Sequence, residues 1–186
     1  MSFKIRGPIR LVVKTLRDTD SKVKLRVVDR TKSSAVLDDE PFGQRIGVYV
    51  MGISRKGGSA VPWYVGKTEK NSLGYESLHR DKIRKYAQAL ISSGEGTPIL
   101  YFVTSNSGWD EKRIDRLETF LIWLARQRNP SLLNAKKVHL TPSSLNGYLA
   151  ELQIHGILNS TQGYPGDSIS FRSMIGWSRT MHLQLG

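Results

Sequence analysis

Two short stretches of this chain mirror each other: Gly47-Val48-Tyr49 and Tyr64-Val65-Gly66. Each lies in a run with strand character, IGVYVMGI at 46–53 and PWYVGKT at 62–68. The segment between them, SRKGGSAV, carries a Gly-Gly turn signal. The pattern predicts an antiparallel hairpin. With Tyr49 opposite Tyr64, Gly47 falls opposite Gly66, because the numbers of facing residues share one sum. Side chains alternate faces along a strand. Both tyrosines and both glycines then share one face, and Val48, Val50, Trp63 and Val65 fill the other. Glycines beside two phenols leave a shallow polar hollow where a substrate can approach the backbone. An ordinary hairpin with two packed or exposed tyrosines is the plainer alternative, since Tyr is a common strand residue. The mirrored pair followed by Lys67-Thr68 is the more specific pattern.

Around this hairpin the chain reads as α+β, a β-β-α-β-α core with an N-terminal β-hairpin and a C-terminal extension. Residues 9–13 (IRLVV) and the alternating 22–27 make the N-terminal hairpin, and 31–44 a connecting loop. Asp38, Asp39 and Glu40 before Pro41 read as a solvated turn, with metal ligation as the alternative. A helix is expected from Ser72 to Ile91, ended by SSGEG, then a strand at 98–105. Ser107 or Asp110 caps a second helix running to Arg128, stopped by Asn129-Pro130. KVHL reads as a short strand, SSLNGYLAELQI as a short helix, and the Gly-rich C-terminus as loop with some strand. The units are 1–45, 46–140 and 141–186.

In the second helix, at about 100° per residue, Ile114, Leu117, Leu121, Ile122 and Ala125 form one apolar arc. Glu118 falls inside it. Asp110, Glu111 and Asp115 lie at the helix start or off that face, where solvent and the macrodipole suit them. A carboxylate among core positions is costly unless it is paired or holds a metal. The pairing alternative is a salt bridge to a cation such as Arg80 or Lys67.

Charge points to the partner. Lys plus Arg number 28 against 16 Asp plus Glu, a formal charge of +12. Such an excess suits a polyanion. No interfacial basic helix stands out to favour a membrane surface. Cysteine is absent, which excludes a disulfide framework, a thiolate metal site and a thiol nucleophile. The start, MSFKIRGPIR, lacks an apolar signal core, and no apolar run reaches spanning length. A soluble, cytoplasmic protein with DNA as partner, or RNA, and no membrane partner, is the expectation.

GVY at 47–49 and YVG at 64–66 resemble the two defining motifs of the GIY-YIG nuclease family, with most likeness to bacterial members carrying a YVGKT-type second motif. The resemblance covers roughly residues 46–134, about half the chain. It implies a catalytic glutamate on a later helix, matched by Glu118, and an asparagine after that helix, matched by Asn134 in NPSLLN. The family arginine lies nearer the second motif, where this chain has Gly74, Tyr75 and Glu76. Arg80 is the nearest candidate, with His79 beside it and Arg84 one turn on; alternatively Lys67 takes the cationic role.

The activity so implied is metal-dependent phosphodiester hydrolysis in DNA. Glu118 would hold a magnesium or manganese ion, which usually takes one or two protein carboxylates and keeps several waters. Tyr49 would be the general base. A phenol near pKa 10 needs a neighbouring cation for that, and Lys67 is the candidate. Tyr64 would orient nucleophile or phosphate, Arg80 would pair with phosphate oxygens alongside Lys67 and Arg84, and Asn134 would fix the phosphate or a local backbone. Each has a plainer reading: Lys67 and Arg80 as surface charges, Asn134 as a turn cap, His79 as helix surface. His139, His155 and His182 show no ligand spacing. Trp109 and Trp177 could stack on bases, though Trp is more often packing. Two rival readings remain: a non-catalytic nucleic-acid-binding protein on the same fold, and an RNA nuclease.

The charge excess generates a first prediction. DNA affinity falls steeply as salt rises, through counterion release. A binding constant that stays flat from low to physiological salt would contradict phosphate-driven binding.

Overall fold

The computed structural model describes residues 3–17, 24–56, 60–105, 110–137, 140–141, 144, 147 and 165–177. Its centre is a four-stranded antiparallel sheet of order β1-β6-β4-β5. The strands are β1 (Phe3–Arg10), β4 (Gly47–Ser54), β5 (Val61–Thr68) and β6 (Thr97–Ser105). A separate ribbon pairs β2 (Val13–Arg17) with β3 (Lys24–Val28). The helices are α1 (Arg30–Asp38), α2 (Leu73–Ser77), α3 (Arg80–Ser93), α4 (Glu111–Arg128) and α5 (Pro165–Ile175).

Alternation along the strands builds two cores. Val48 and Val50 of β4, Val65 of β5 and Ile99, Tyr101 and Val103 of β6 face α4 and α5. Tyr49, Met51, Leu100 and Phe102 point the other way, onto Leu37 of α1, Leu73 of α2 and Tyr86 of α3. Near-continuous apolar strands are what a sheet covered on both faces requires.

The mixed α+β class agrees with the sequence reading, and several elements differ from it. A hairpin does form there, β2–β3, but its first strand is Val13–Arg17 and not 9–13, and Ile9 and Arg10 belong to β1, an extra strand of the central sheet. Gly7-Pro8 reads as a break in sequence. At a sheet edge a proline is tolerated, and the register shifts there, between Arg6 and Ile9. The expected loop at 31–44 is mostly α1. Asp29 caps it by accepting from the Lys32 amide at 3.2 Å. Only Ser33 and Leu37 of α1 are buried, too sparse a stripe to see in the sequence. Glu40 accepts two hydrogen bonds from Arg6, at 2.8 Å each, and is neither solvated turn nor metal ligand. The helix expected over 72–91 is two, α2 and α3, broken at Leu78-His79. The β4, β5, β6 and α4 segments stand within a residue or two of expectation, with Asp110 as the α4 cap.

The largest departure is α5, where loop and strand were expected. Gly166, Asp167, Ser168 and Ser170 are poor helix formers. Tertiary packing overrides them: Phe171, Met174 and Ile175, spaced three and four apart, are buried against the sheet and α4. Tyr101 packs on Phe171 with centroids 5.3 Å apart and donates to Ser170 Oγ at 2.9 Å. Asp167 accepts from the Gly7 amide at 2.9 Å, which ties α5 to β1. The KVHL strand and the 143–154 helix fall largely outside the described residues. Among the described residues no helix is long and apolar enough to cross a membrane.

Phe171→Ala should destabilise the protein by about 3–5 kcal/mol, the usual cost of emptying an aromatic core position, measured by urea unfolding. A loss below about 1 kcal/mol would contradict the docking of α5.

Candidate functional site

The β4–β5 register sets the site. Tyr49 faces Gly66, and Tyr64 faces Met51, two residues away from the expected Tyr49–Tyr64 pairing. A one-residue bulge lies beside it: Gly52 pairs with Pro62, which leaves Trp63 as the extra residue, so the pairing is offset by two on the tyrosine side and by one beyond the bulge. A slip of two preserves the alternation, so Tyr49, Tyr64, Gly47 and Gly66 still share one face. The bulge moves Trp63 off the valine face. It packs instead with Ile53, Ala89 and Leu90. The expected hollow is filled. The Tyr49 ring lies directly over Gly66, where any Cβ would collide with its hydroxyl and ring carbons.

Tyr49 is fully buried, and its Oη has no hydrogen-bond partner among the described residues. Burial pushes its phenol far above the usual range, and Tyr64, Glu76, Tyr86 and Glu118 push it the same way. Lys67 does not relieve this. Its ammonium donates to Asp115 at 2.8 Å and to Glu69, on the α4 side of the sheet. In this arrangement Tyr49 is a neutral phenol and not a base.

Tyr64 is half-buried, its ring 6.3 Å from that of Tyr49. Burial raises its phenol, Lys82 lowers it and Glu118 raises it. Lys85 Nζ stands 4.6 Å from the Tyr64 ring centroid and Lys82 Nζ 5.6 Å, within cation–π range. Burial and then Lys82 hold the Lys85 ammonium below its ordinary value. These two lysines, and not Arg80 or Arg84, are the α3 cations beside the phenols. Arg80 begins α3 and Arg84 lies one turn on, both exposed. His79 precedes Arg80, with Asp81 at 3.6 Å.

Glu118 sits on the buried arc of α4 as its spacing requires, at 9% exposure. Its partner is neither Arg80 nor Lys67 but Lys137, whose Nζ donates to Oε2 at 2.7 Å and also to Asp115. Lys137 adopts a left-handed backbone, φ 62°. Charges thus alternate along Glu69, Lys67, Asp115, Lys137 and Glu118. Burial alone would raise Asp115, but the hydrogen bonds from Lys137 and Lys67 hold it below its ordinary value. Asp115, Lys82, Lys85 and Lys137 were missed in the sequence. The three-residue spacing of Lys82 and Lys85 was the available signal.

Asn134 acts on the backbone. Its Oδ1 accepts from the Val65 amide at 2.9 Å and its Nδ2 donates to the Val65 carbonyl at 2.8 Å. Asn129 Nδ2 donates to Pro62 O at 2.8 Å, and the Leu133 amide to Trp63 O at 2.9 Å. The 129–134 segment therefore satisfies the free edge of β5, which would otherwise be a template for pairing. Trp177 is core, edge-on to Phe120 at 5.9 Å. Trp109, His139, His155 and His182 lie outside the described residues.

Comparison with family models, with curated proteins and with solved structures gave no match to this chain. The site therefore rests on its own geometry. Glu118 and Asp115, three apart on α4, share Lys137 as their cation. Among the described residues no three His, Cys, Asp or Glu side chains form a metal-holding group. That donor set is too small for a closed protein cage. Lys137 occupies both carboxylates here.

The sealed hydroxyl has a measurable consequence. A buried unsatisfied polar group costs about 1–3 kcal/mol. Tyr49→Phe keeps the ring over Gly66 and removes that group, so thermal unfolding should occur at the parent temperature or above it. A fall of several degrees would show that Oη is bonded.

Proposed function

We propose that this protein is a metal-dependent endonuclease of the GIY-YIG type, acting on DNA. The observation that carries the proposal is the pairing of Tyr49 and Tyr64 on one face of the sheet, their rings 6.3 Å apart. Lys82 and Lys85 of α3 bring positive charge to the Tyr64 ring, and Glu118 sits buried on α4, across the sheet. In a chain of charge +12 this is a chemically apt place for a phosphodiester.

The residues divide the work as follows. Lys82 and Lys85 draw a phosphate group toward the Tyr64 hydroxyl, which positions it by hydrogen bonding. They take the place expected of Arg80. Tyr49, kept neutral by burial, supports Tyr64 from beneath and shapes the strand pair. Glu118, with Asp115, would hold a magnesium or manganese ion, which supplies charge stabilisation at phosphorus. Lys137 neutralises the two carboxylates. Lys67 steadies Asp115, and Asn134 holds the Val65 backbone one residue from Tyr64.

A second reading is favoured by one observation. Lys137 already satisfies Glu118, which is what a purely structural ion pair looks like. On that reading the protein binds nucleic acid without cutting it; cutting RNA in place of DNA is a variant of the first.

Glu118→Gln keeps the shape and removes the charge. The expected outcome is loss of magnesium-dependent cleavage by about 10²-fold or more, typical for a key charged group, with DNA affinity and thermal stability near the parent. Full cleavage by the variant would remove Glu118 from the site. Loss of folding would favour the structural ion pair.

A further inference from the structure

A second cationic site lies at the other end of the sheet. β4 runs from Gly47, beside the tyrosines, to Ser54. Beyond Ser54 an open cleft of about 960 Å³ separates the central sheet from the β2–β3 ribbon. Its walls come from four separate segments: Arg10 ends β1, Arg26 lies mid-β3, Arg55 and Lys56 follow β4, and the Gly94–Thr97 turn joins α3 to β6. The charges are four cations against one acid, Glu95.

The cations are held without being neutralised. Arg26 Nη2 donates to the Gly96 carbonyl at 2.8 Å, and Arg55 Nη2 to the Ser93 carbonyl at 3.1 Å. A guanidinium has five N–H donors, so each keeps free donors after one such bond. Among the described residues no carboxylate lies within ion-pairing distance of Arg10, Arg26, Arg55 or Lys56. Elsewhere the same chain pairs Arg6 with Glu40, Lys82 with Glu76, and Lys137 with Glu118. Four like charges converging without partners repel one another, and an anion relieves that repulsion.

The turn below them is bare. Gly94 has φ 73° and open space where a side chain would stand; Gly96 has φ 145°, and a Cβ there would strike Ile53 and the Ser54 carbonyl. A ligand can therefore approach the turn backbone at Gly94, while Gly96 packs against β4. A small discrete anion calls for buried, convergent donors. This cleft is wide and solvent-open, walled by long flexible cations, which suits a chain of phosphates. Among the described residues no aromatic side chain lines it to stack a base, which suits reading of backbone and not of sequence.

We propose that the cleft formed by Arg10, Arg26, Arg55 and Lys56 is a sequence-independent docking track for the phosphate backbone of DNA, separate from the tyrosine–glutamate site. The proposal rests on DNA being the substrate, as inferred above. Five residues of β4 separate Tyr49 from Ser54, about 16 Å of strand. A bound DNA that reaches both places must therefore extend over several nucleotides.

The test uses the full chain with Arg10, Arg55 and Lys56 all changed to Gln. These three are exposed and stand outside the tyrosine–glutamate site. A control carries Arg30→Gln, Lys32→Gln and Lys112→Gln, also exposed and with the same change in net charge. Affinity for a 30-base-pair duplex of arbitrary sequence is measured against salt concentration, with circular dichroism to confirm folding. The cleft variant should lower the slope of log K against log salt by about two to three, from counterion release at about 0.9 per phosphate contact. The control should leave the slope near the parent. Cleavage at saturating DNA should be unaffected in both. Equal loss in the control would overturn the proposal, as would an unchanged slope in the cleft variant. Binding with no cleavage by the parent would sink the nuclease reading and leave the track standing. A parent that binds no duplex at low salt would sink both.

Discussion

The Tyr49 ring lying over Gly66 is the contact on which the rest of this arrangement depends. A side chain at 66 would drive the ring out of the core, since its Cβ would occupy the space of the phenol. With glycine there, the ring closes the α2–α3 side of the sheet beside Met51, Leu73 and Phe102. The same contact favours one β4–β5 register over its neighbours. That register in turn places Tyr64 opposite Met51, at the covered edge strand, where α3 lysines reach its ring. The hydroxyl of Tyr49 is left without a partner among the described residues. Native interiors rarely hold such a group.

The second constraint is the edge of β5. A loop that follows α4 covers it, using Asn129, Leu133 and Asn134 in place of a fifth strand. This brings Lys137 back over α4, where it meets Asp115 and Glu118. The Asn that seals the edge and the lysine that neutralises the carboxylates therefore belong to one excursion of the chain. Site chemistry and edge protection are mechanically linked: disturbing the loop affects both Val65 and Glu118.

The parts legible in the sequence were those with local, periodic signals. The β4–β5 hairpin, β6 and α4 were readable from alternation, a Gly-Gly turn and an Asp110 cap, and Glu118 from its place on an apolar arc. What escaped was set by distant contacts. Pro8 disguised β1, since nothing local says that a strand will be an edge. The helix α5 forms from poor helix formers because Phe171 and Met174 find the sheet. The bulge at Trp63 shifts the register by one part-way along the hairpin, which no single sum of residue numbers reveals. Lys137 reaches Glu118 only through a left-handed backbone residue, and its sequence position gives no hint of it. Lys67 is held by Asp115 and Glu69, away from the phenols, for the same reason, whereas Asn134 takes one of the two roles expected of it and fixes a local backbone, that of Val65.

The activity proposed for this site is cleavage of DNA with the help of a divalent ion. Its most direct test is incubation of the purified chain with supercoiled plasmid DNA, and in parallel with structured RNA, in magnesium, in manganese and in excess chelator. Nicked or linear DNA is expected with either metal, none in chelator, and slower or no cleavage of RNA. Tight binding with intact DNA under every condition would contradict it and leave a nucleic-acid-binding protein without nuclease chemistry.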